Sequence, residues 1–413
     1  MRSSKHRLSD GFLAAARGFT AALAFGAFAL GASVPADAAP TGAPIRVGGT
    51  MALTGPIASA GLLHKLAGDI FIEQINKADG LLGRPVEWVL LDDQSKPDLT
   101  RSLYDRLVTA DKVDLLIGPY ATGSILSAMA VAERQGKLLI HNTLGIPKLA
   151  KYDMQFPITQ IGYNAEQTFP TKVFEGLAAS GAPIKTIAIV TSKFPSVHFL
   201  SVGAREVAKK RGVNELLYLE FEFGNRDFGA ITARVRDANP DLLWMGSIGM
   251  ESNMLLEALK KLNYTPKNHF HLYPATAPLA LAPEGQGALS MTQFEPHLPF
   301  TNNPGAAEFM KLYRERAEKA KLPYPEADTQ AALGYAQWQV LHAAVTATRS
   351  LNDKVLANWL RANRVNTVLG AMRFNGPGNY GDDMTKVKQV QNGKWVTVWP
   401  REWAAPGVKL MMP

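Results

Sequence analysis

Two runs of alternating strand-like and helix-like segments constrain the fold of this chain more than any other feature of its sequence. The first run covers residues 45–142 and the second covers residues 186–274. In each run, short apolar segments alternate with segments whose apolar residues recur at helical spacing, such as Leu66, Ile70 and Ile75. This alternation predicts parallel sheets with helices on both faces, and two such runs predict two lobes.

The order of elements changes towards the C-terminus. Three longer segments, 302–320, 327–350 and 353–363, have a helical pattern. The segment 371–400 that follows reads as short antiparallel strands with turns at Gly376-Pro377 and Asn392-Gly393. The C-terminal third therefore adds helices first and then an antiparallel hairpin.

The first 38 residues have the pattern of a cleaved secretory signal. An apolar run from Phe19 to Val34 is followed by the small-x-small site Ala36-Asp37-Ala38, and it is preceded by Arg2, Lys5, Arg7 and Arg17. A membrane anchor is the alternative, but the run is short and rich in glycine and alanine for a spanning helix. We therefore expect residues 1–38 to be a signal peptide.

Composition and charge narrow the class of protein. Hydrophobic residues make up 46% of the chain and charged residues 19%, which is typical of a globular protein. The net charge of +8 is dispersed, so no basic stripe predicts nucleic-acid binding. The chain has no cysteine, which argues against disulfides and excludes a cysteine lipid anchor. We expect a free periplasmic protein of a bacterium with two membranes.

The stretch "DLLIGPYATGSILSAM", residues 114–129, predicts an anion site. A strand delivers the chain to Gly118-Pro119, and a helix opens near Thr122. The first N–H groups of a helix are unpaired, and its dipole is positive at that end. Thr122 adds a hydroxyl, and Gly123 allows a ligand to approach the backbone. The alternative is that Thr122 only caps the helix.

Several segments, in this order and spacing, resemble one known family. They are "IRVGGTMALTGPIASAG", "LLDDQSKPDLT", "VDLLIGPYATGSILSAM", "IAIV" and "LGAMRFNGPGN". The chain resembles the periplasmic ligand-binding proteins of branched-chain amino acid ABC transporters, from residue 45 to about residue 400. Each motif alone is weak, but the ordered set behind a signal peptide is specific.

The resemblance implies the α/β fold of a type I periplasmic binding protein. Two doubly wound lobes are joined by three crossovers, and the ligand lies in the cleft between them. We place the crossovers near residues 158–162, 293–298 and 368–372. Lobe 1 is then 45–159 plus 297–368, and lobe 2 is 160–296 plus 369–413. Open α/β sheets likewise bind ligands beyond the carboxyl ends of their strands.

The resemblance also implies binding residues in lobe 1. The family's carboxylate-binding serine matches Thr122. The backbone carbonyl that the family uses after the next strand belongs to Thr143. The family's threonine hydroxyl is missing, because Gly145 occupies its position, and His141 or Asn142 could compensate. His141 could equally be a strand-end histidine with internal partners.

Lobe 2 departs from the family where an amino-acid binder carries an acid. No Asp or Glu occurs from Asn268 to Pro283, and burying an ammonium without a carboxylate costs several kcal/mol. Two family tyrosines are replaced, by Ala60 and by Ile248. The candidate cleft-lining residues, each of which could instead belong to a lobe core, are Tyr120, Phe194, Phe199, Ile248 and Tyr273.

These departures favour a small hydrophobic or aromatic carboxylate over a standard amino acid. A hydrophobic amino acid and a neutral amide or urea-like ligand stay open as alternatives. The expected partner is an ABC permease in the inner membrane, served by a monomeric shuttle without a cofactor. A ligand sensor on the same fold is the rival binding role, and a periplasmic enzyme is the rival of a different class.

The candidate catalytic and metal-ligating residues have simpler interpretations. No nucleotide-binding loop or nucleophile elbow is present. His269 and His271 alternate on a strand and could form a metal pair, but no third ligand lies nearby. Asp92-Asp93 fits a turn or a helix cap. Glu251 complements a helix dipole, although it could also face the cleft as a ligand contact.

Overall fold

A computed structural model describes residues 39–181, 183–272 and 277–411. The predicted signal peptide, residues 1–38, and Tyr273 lie outside these ranges. In the part of the chain that is described, no helix combines the length and apolar character needed to span a membrane.

The first sheet has five parallel strands in the order β2-β1-β3-β4-β5. Its strands are β1 (Ile45–Met51), β2 (Val86–Asp92), β3 (Leu115–Ile117), β4 (Leu139–His141) and β5 (Gln155–Pro157). The helices between them are α1 (Ala58–Lys77), α2 (Pro97–Thr109) and α3 (Thr122–Gln135). This order is that of a doubly wound sheet, in which the strand order reverses beside the first strand.

The second sheet has seven strands in the order β14-β13-β10-β9-β8-β6-β7. Its parallel strands are β6 (Thr186–Ser192), β7 (Asn214–Phe221), β8 (Leu242–Gly246), β9 (His269–His271) and β10 (Leu289–Thr292). The accompanying helices are α4 (Ala165–Ala179), α5 (Pro195–Lys210), α6 (Gly229–Ala238) and α7 (Glu251–Lys261). The elements of the second sheet therefore repeat the strand–helix alternation of the first.

The C-terminal third contributes to both groups of elements. Helices α8 (Ala306–Lys319), α9 (Thr329–Thr348) and α10 (Asp353–Ala362) pack with α1 or with one another, beside the short hairpin β11 (Val365–Thr367) and β12 (Gly370–Met372). Strands β13 (Lys386–Gln391) and β14 (Lys394–Trp399) then join the second sheet antiparallel to β10 and to each other. The predicted C-terminal hairpin thus becomes an edge of the second sheet.

The central strands are apolar because both of their faces are covered. Every residue of β3 and of β8 is buried, including Trp244. Such continuous apolar runs are typical of parallel strands between two helix layers. Polar groups that bind a ligand must then lie beyond the strand ends, where the chain leaves the core.

Gln160 connects the three segments through which the chain passes between the two groups of elements. Its backbone carbonyl accepts hydrogen bonds from the Gln293 side-chain amide and from the Met384 N–H at 2.9 Å. Its side-chain oxygen accepts the Gly381 N–H at 2.6 Å. Gln160 and Gln293 lie in the predicted crossovers 158–162 and 293–298, whereas Gly381 and Met384 lie beyond the predicted third crossover, in the segment between β12 and β13. The lobe boundaries remain predictions.

Candidate functional site

A cavity of about 30 Å³ lies at the carboxyl ends of β3, β4 and β5. Seven of its lining residues follow those strands, and we call them the first-sheet side: Tyr120, Ala121, Thr122, Thr143, Gly145, Thr159 and Ile161. Five more belong to the helices and loops of the second sheet, and we call them the second-sheet side: Phe169, Phe194, Ser196, Leu200 and Ile248. The cavity therefore lies where a type I binding protein is expected to hold its ligand.

Helix α3 begins at the cavity with free amide groups. Ala121 has φ +75°, which turns the chain sharply after β3. The first helical hydrogen bond runs from the Ile125 N–H to the Ala121 carbonyl at 2.9 Å. The N–H groups of Thr122, Gly123 and Ser124 precede that bond, so they have no partner within the helix. The helix start thus has the polarity predicted for an anion site.

Two threonine hydroxyls are held in place by backbone N–H groups. The Thr122 Oγ1 atom accepts the Gly145 N–H at 3.1 Å, and the Thr143 Oγ1 atom accepts the Ala121 N–H at 3.2 Å. A hydroxyl that accepts one hydrogen bond can still donate its own hydrogen. Thr122 does not cap α3, since its side chain bonds another loop. Each of the two hydroxyls therefore keeps a hydrogen that it can donate.

Gly123 has a packing role that the sequence did not indicate. A Cβ atom at this position would lie 2.9 Å from the Pro97 Cγ atom of α2. Gly123 is not among the residues that line the cavity. Its lack of a side chain therefore lets α2 and α3 approach closely, whereas we had expected it to admit a ligand to the backbone.

The second-sheet side also presents a helix start. Helix α5 begins at Pro195, and its first hydrogen bond runs from the His198 N–H to the Phe194 carbonyl at 3.0 Å. Ser196 lies in that first turn and faces Gly145, where an added Cβ would be only 2.6 Å from the Ser196 Cβ atom. The two sides thus touch at Gly145 and Ser196.

No charged side chain lies among the described residues that line the cavity. Glu251, a candidate contact, is buried but does not line the cavity. Its two carboxylate oxygens accept the Ile248 and Gly224 N–H groups, each at 3.0 Å, while burial raises the pKa of this carboxyl. Glu251 therefore fixes the loops around Ile248 instead of offering a partner to a ligand cation.

The remaining predicted contacts divide into two groups. Tyr120, Thr143, Gly145, Phe194 and Ile248 line the cavity together with Thr122. The hydroxyl of Tyr120 is kept protonated, because burial raises its pKa. His141 and Phe199 do not line the cavity. Leu200, the neighbour of Phe199, lines it instead. Tyr273 lies outside the described residues.

His141 is buried behind the cavity and has an internal partner. Its Nε2 atom lies 2.6 Å from the Gln155 Oε1 atom, and its Cβ atom packs on Gly118. Burial lowers the pKa of His141 to about 4, so the ring is neutral near pH 7. Asn142 is engaged as well, since its side-chain nitrogen lies 3.1 Å from the His64 Nδ1 atom. Neither residue is among the described residues that line the cavity.

The other polar pairs singled out by the sequence are structural. Asp92 accepts N–H groups of Leu53, Thr54 and Gln94, and Asp93 accepts the Thr50 hydroxyl at 2.8 Å. The His269 Nδ1 and His271 Nε2 atoms lie 2.9 Å apart, and burial lowers the pKa values of both rings. In the described ranges, no cluster of three metal-ligating residues occurs.

Sequence reasoning missed five described residues of the cavity wall besides Ala121. They are Thr159, Ile161, Phe169, Ser196 and Leu200. Strand β5, which precedes Thr159, has three residues and carries little periodicity. Pro195 could have indicated the start of α5, since proline favours the first position of a helix. That signal would have placed Ser196 and Leu200 on the first turns facing the cavity.

Comparison with known proteins identifies the family. The family model described as "Periplasmic binding protein" matches residues 44–394. The Leu/Ile/Val-binding protein homolog 3 of Brucella melitensis is 24% identical over 367 residues, which cover 86% of this chain and 93% of the relative. The chain belongs to the periplasmic binding protein family, and it is similar to this Leu/Ile/Val-binding protein homolog.

Two solved structures of Rhodopseudomonas palustris ABC transporter solute-binding proteins have the same fold. The one in complex with benzoate has a TM-score of 0.74 at 18% identity, with 89% of this chain and 98% of that chain covered. The one in complex with 4-hydroxybenzoate has a TM-score of 0.71 at 16% identity, with 86% and 95% covered. The predicted type I periplasmic binding fold is confirmed.

Proposed function

We propose that this protein is the solute-binding component of an ABC importer that captures a small hydrophobic or aromatic carboxylate in the periplasm. The observation that carries the proposal is the chemistry of the cavity wall. Hydroxyls and free helix amides cluster on the first-sheet side, and none of the described lining residues is an acid. An anion is stabilised by such donors, whereas an ammonium would be buried without a counter-ion.

The ligand class follows from the rest of the wall. Phe169, Phe194, Leu200 and Ile248 offer apolar surface opposite the hydroxyls. A ligand that matches both sides has a carboxylate at one end and an apolar body at the other. Benzoate, which a solute-binding protein of the same fold holds in its crystal structure, is the simplest probe with this shape.

Capture requires movement of the two sides. The cavity of about 30 Å³ exceeds the space that one water needs, but a benzene-sized ring occupies a cavity of roughly 150 Å³. The ligand would first bind Thr122 and the start of α3, and the second-sheet side would then close over it by hinge motion. The closed, liganded protein would dock on a membrane permease, which imports the ligand at the expense of ATP.

Calorimetric titration of the purified protein tests the ligand class. We expect benzoate to bind and its neutral amide, benzamide, to bind far more weakly. Binding of leucine with higher affinity than benzoate would instead support an amino-acid binder, the function that the name of the Brucella relative suggests. Equal binding of benzamide and benzoate would contradict the carboxylate site.

The Thr122→Val variant tests the anchor itself. Loss of one hydrogen bond to a charged ligand should cost about 1–2 kcal/mol, or roughly a tenfold loss of benzoate affinity. Thr122→Ser is the matched control, because it keeps the hydroxyl and should bind benzoate nearly as the unchanged protein does. Unchanged affinity in Thr122→Val would reject the contact.

A further inference from the structure

Thr159 carries a buried hydroxyl that has no partner among the described residues. The residue is 2% exposed, lines the cavity and follows β5. Its Oγ1 atom makes no hydrogen bond. Its backbone is satisfied, since its N–H bonds the Asn142 carbonyl at 3.3 Å and its carbonyl accepts the Ile161 N–H at 3.1 Å. The side-chain hydroxyl alone is left without a partner.

The other threonine hydroxyls of the first-sheet side are engaged, which makes Thr159 distinct. Thr122 and Thr143 each accept a backbone N–H. A buried polar group without a hydrogen bond is destabilising, and valine would fill the same space at no such cost. Because Thr159 lines the cavity, its unpaired hydroxyl is a candidate partner for a ligand that binds there.

The sheet places Thr159 at a distance from the carboxylate anchor. Strands β3, β4 and β5 are consecutive neighbours, and Thr122 follows the first of them while Thr159 follows the third. The Thr122 Oγ1 atom accepts the Gly145 N–H at 3.1 Å, and the Thr159 N–H bonds the Asn142 carbonyl at 3.3 Å, so both residues contact the loop after β4. A ligand that reaches both side chains across this loop needs a polar group at each end.

We propose that Thr159 binds a polar substituent on the far side of the ligand from its carboxylate, so that the preferred ligand is a hydroxylated aromatic carboxylate. This inference rests on the proposed function, since it takes the carboxylate end to lie at Thr122. A hydroxyl can donate or accept, and thus matches a ligand hydroxyl in either sense. The apolar wall of Phe169, Leu200 and Ile248 would cover the ring between the two polar ends.

The test compares two ligands on three proteins by calorimetric titration. The ligands are benzoate and 4-hydroxybenzoate, and the proteins are the unchanged chain, Thr159→Val and Thr159→Ser. One added neutral hydrogen bond should make the unchanged chain bind 4-hydroxybenzoate about fivefold more tightly than benzoate. Thr159→Val should abolish that preference, and Thr159→Ser should keep it. The readout is the ratio of the affinities for the two ligands, because a change in the shape of the cavity away from Thr159 affects both ligands alike.

The outcomes separate this inference from the proposed function. If benzoate binds but the unchanged chain does not prefer 4-hydroxybenzoate, the role of Thr159 is wrong while the carboxylate site stands. A preference that survives in Thr159→Val also overturns it. If neither ligand binds, the proposed function fails together with the inference. Thermal melting of each variant verifies that it is folded before titration.

Discussion

The first-sheet side and the second-sheet side of the cavity differ in chemistry although both are built from strand ends and helix starts. The first-sheet side carries the hydroxyls of Tyr120, Thr122, Thr143 and Thr159, whereas the second-sheet side carries the hydroxyl of Ser196 alone. Apolar side chains make up the remainder of the second-sheet side. On the proposed function, the first-sheet side would bind the polar ends of a ligand, and the second-sheet side would mainly shield its apolar body from water.

This asymmetry gives an order to the binding events. A carboxylate can bind the open first-sheet side through hydrogen bonds, whereas apolar contacts become favourable only when both faces of the ligand are covered. An amino-acid binder needs a further charge on the second-sheet side. Here Glu251, which lies three residues after Ile248, is held by the backbone N–H groups of Ile248 and Gly224. On the proposed function, the lack of that charge would distinguish this site from one for leucine.

The largest effect is expected from an acid placed on the second-sheet side. Ile248→Asp puts a carboxylate into the apolar wall near the ligand, and burying an unpaired charge costs several kcal/mol. Benzoate affinity should fall at least roughly 100-fold. Ile248→Asn, which has the same shape without the charge, should lose much less in the same calorimetric titration. Similar losses in both variants would show that the wall senses size and not charge.

A second test asks whether the two sheets also differ in their buried histidines. Burial lowers the pKa values of His141, behind the first-sheet side, and of His269, in the second sheet, to about 4. The unfolded chain takes up a proton at each site near pH 6.5, while the folded chain does so only near pH 4. Stability should therefore fall as the pH decreases from 6.5 towards 4, by on the order of 3 kcal/mol per histidine.

Urea unfolding between pH 7 and pH 5 measures this loss. His141→Gln and His269→Gln should each reduce the pH slope of the unfolding free energy by up to one proton, since glutamine does not titrate. Equal reductions would show that the two sheets bury histidine alike and differ only at the cavity wall. A slope that neither variant changes would contradict neutral, buried rings.

A smaller effect is expected where the two sides touch. Gly145→Ala adds a Cβ atom 2.6 Å from the Ser196 Cβ atom, and such overpacking costs about 1–3 kcal/mol. The variant should close less readily and bind benzoate roughly tenfold more weakly. Ser196→Gly in the same chain removes the clash and should restore affinity. If the double variant binds no better than Gly145→Ala, the loss does not arise from this contact.

The sequence predicted most of the elements because their patterns are long and regular. The second predicted run starts at residue 186, where β6 begins, and the helix predicted at Glu251 is α7. Strand β5 was missed, since three residues carry too little pattern. The sheets were expected to be parallel, but β13 and β14 make the second sheet mixed. Pairing partners across the chain are not encoded in local periodicity.

The site was harder to predict than the fold. A strand followed by a helix start was sufficient to single out Thr122, because the free amides follow from the geometry of any helix. The roles of Gly123 and Glu251 depend on Pro97 and on the Gly224 N–H, which are distant in sequence. The unpaired hydroxyl of Thr159 is apparent only from the structure, because the sequence does not show which hydroxyls have a hydrogen-bond partner. The roles of these residues depend on contacts between segments that are distant in sequence, and residue type alone does not predict such contacts.

A crystal structure of the complex with benzoate would show most directly whether the ligand's carboxylate binds at the start of α3. We expect the carboxylate oxygens within hydrogen-bond distance of the Thr122 hydroxyl and of the first N–H groups of α3, with the ring against Leu200 and Ile248. A carboxylate found instead on the second-sheet side, with the ring beside Thr122, would contradict it.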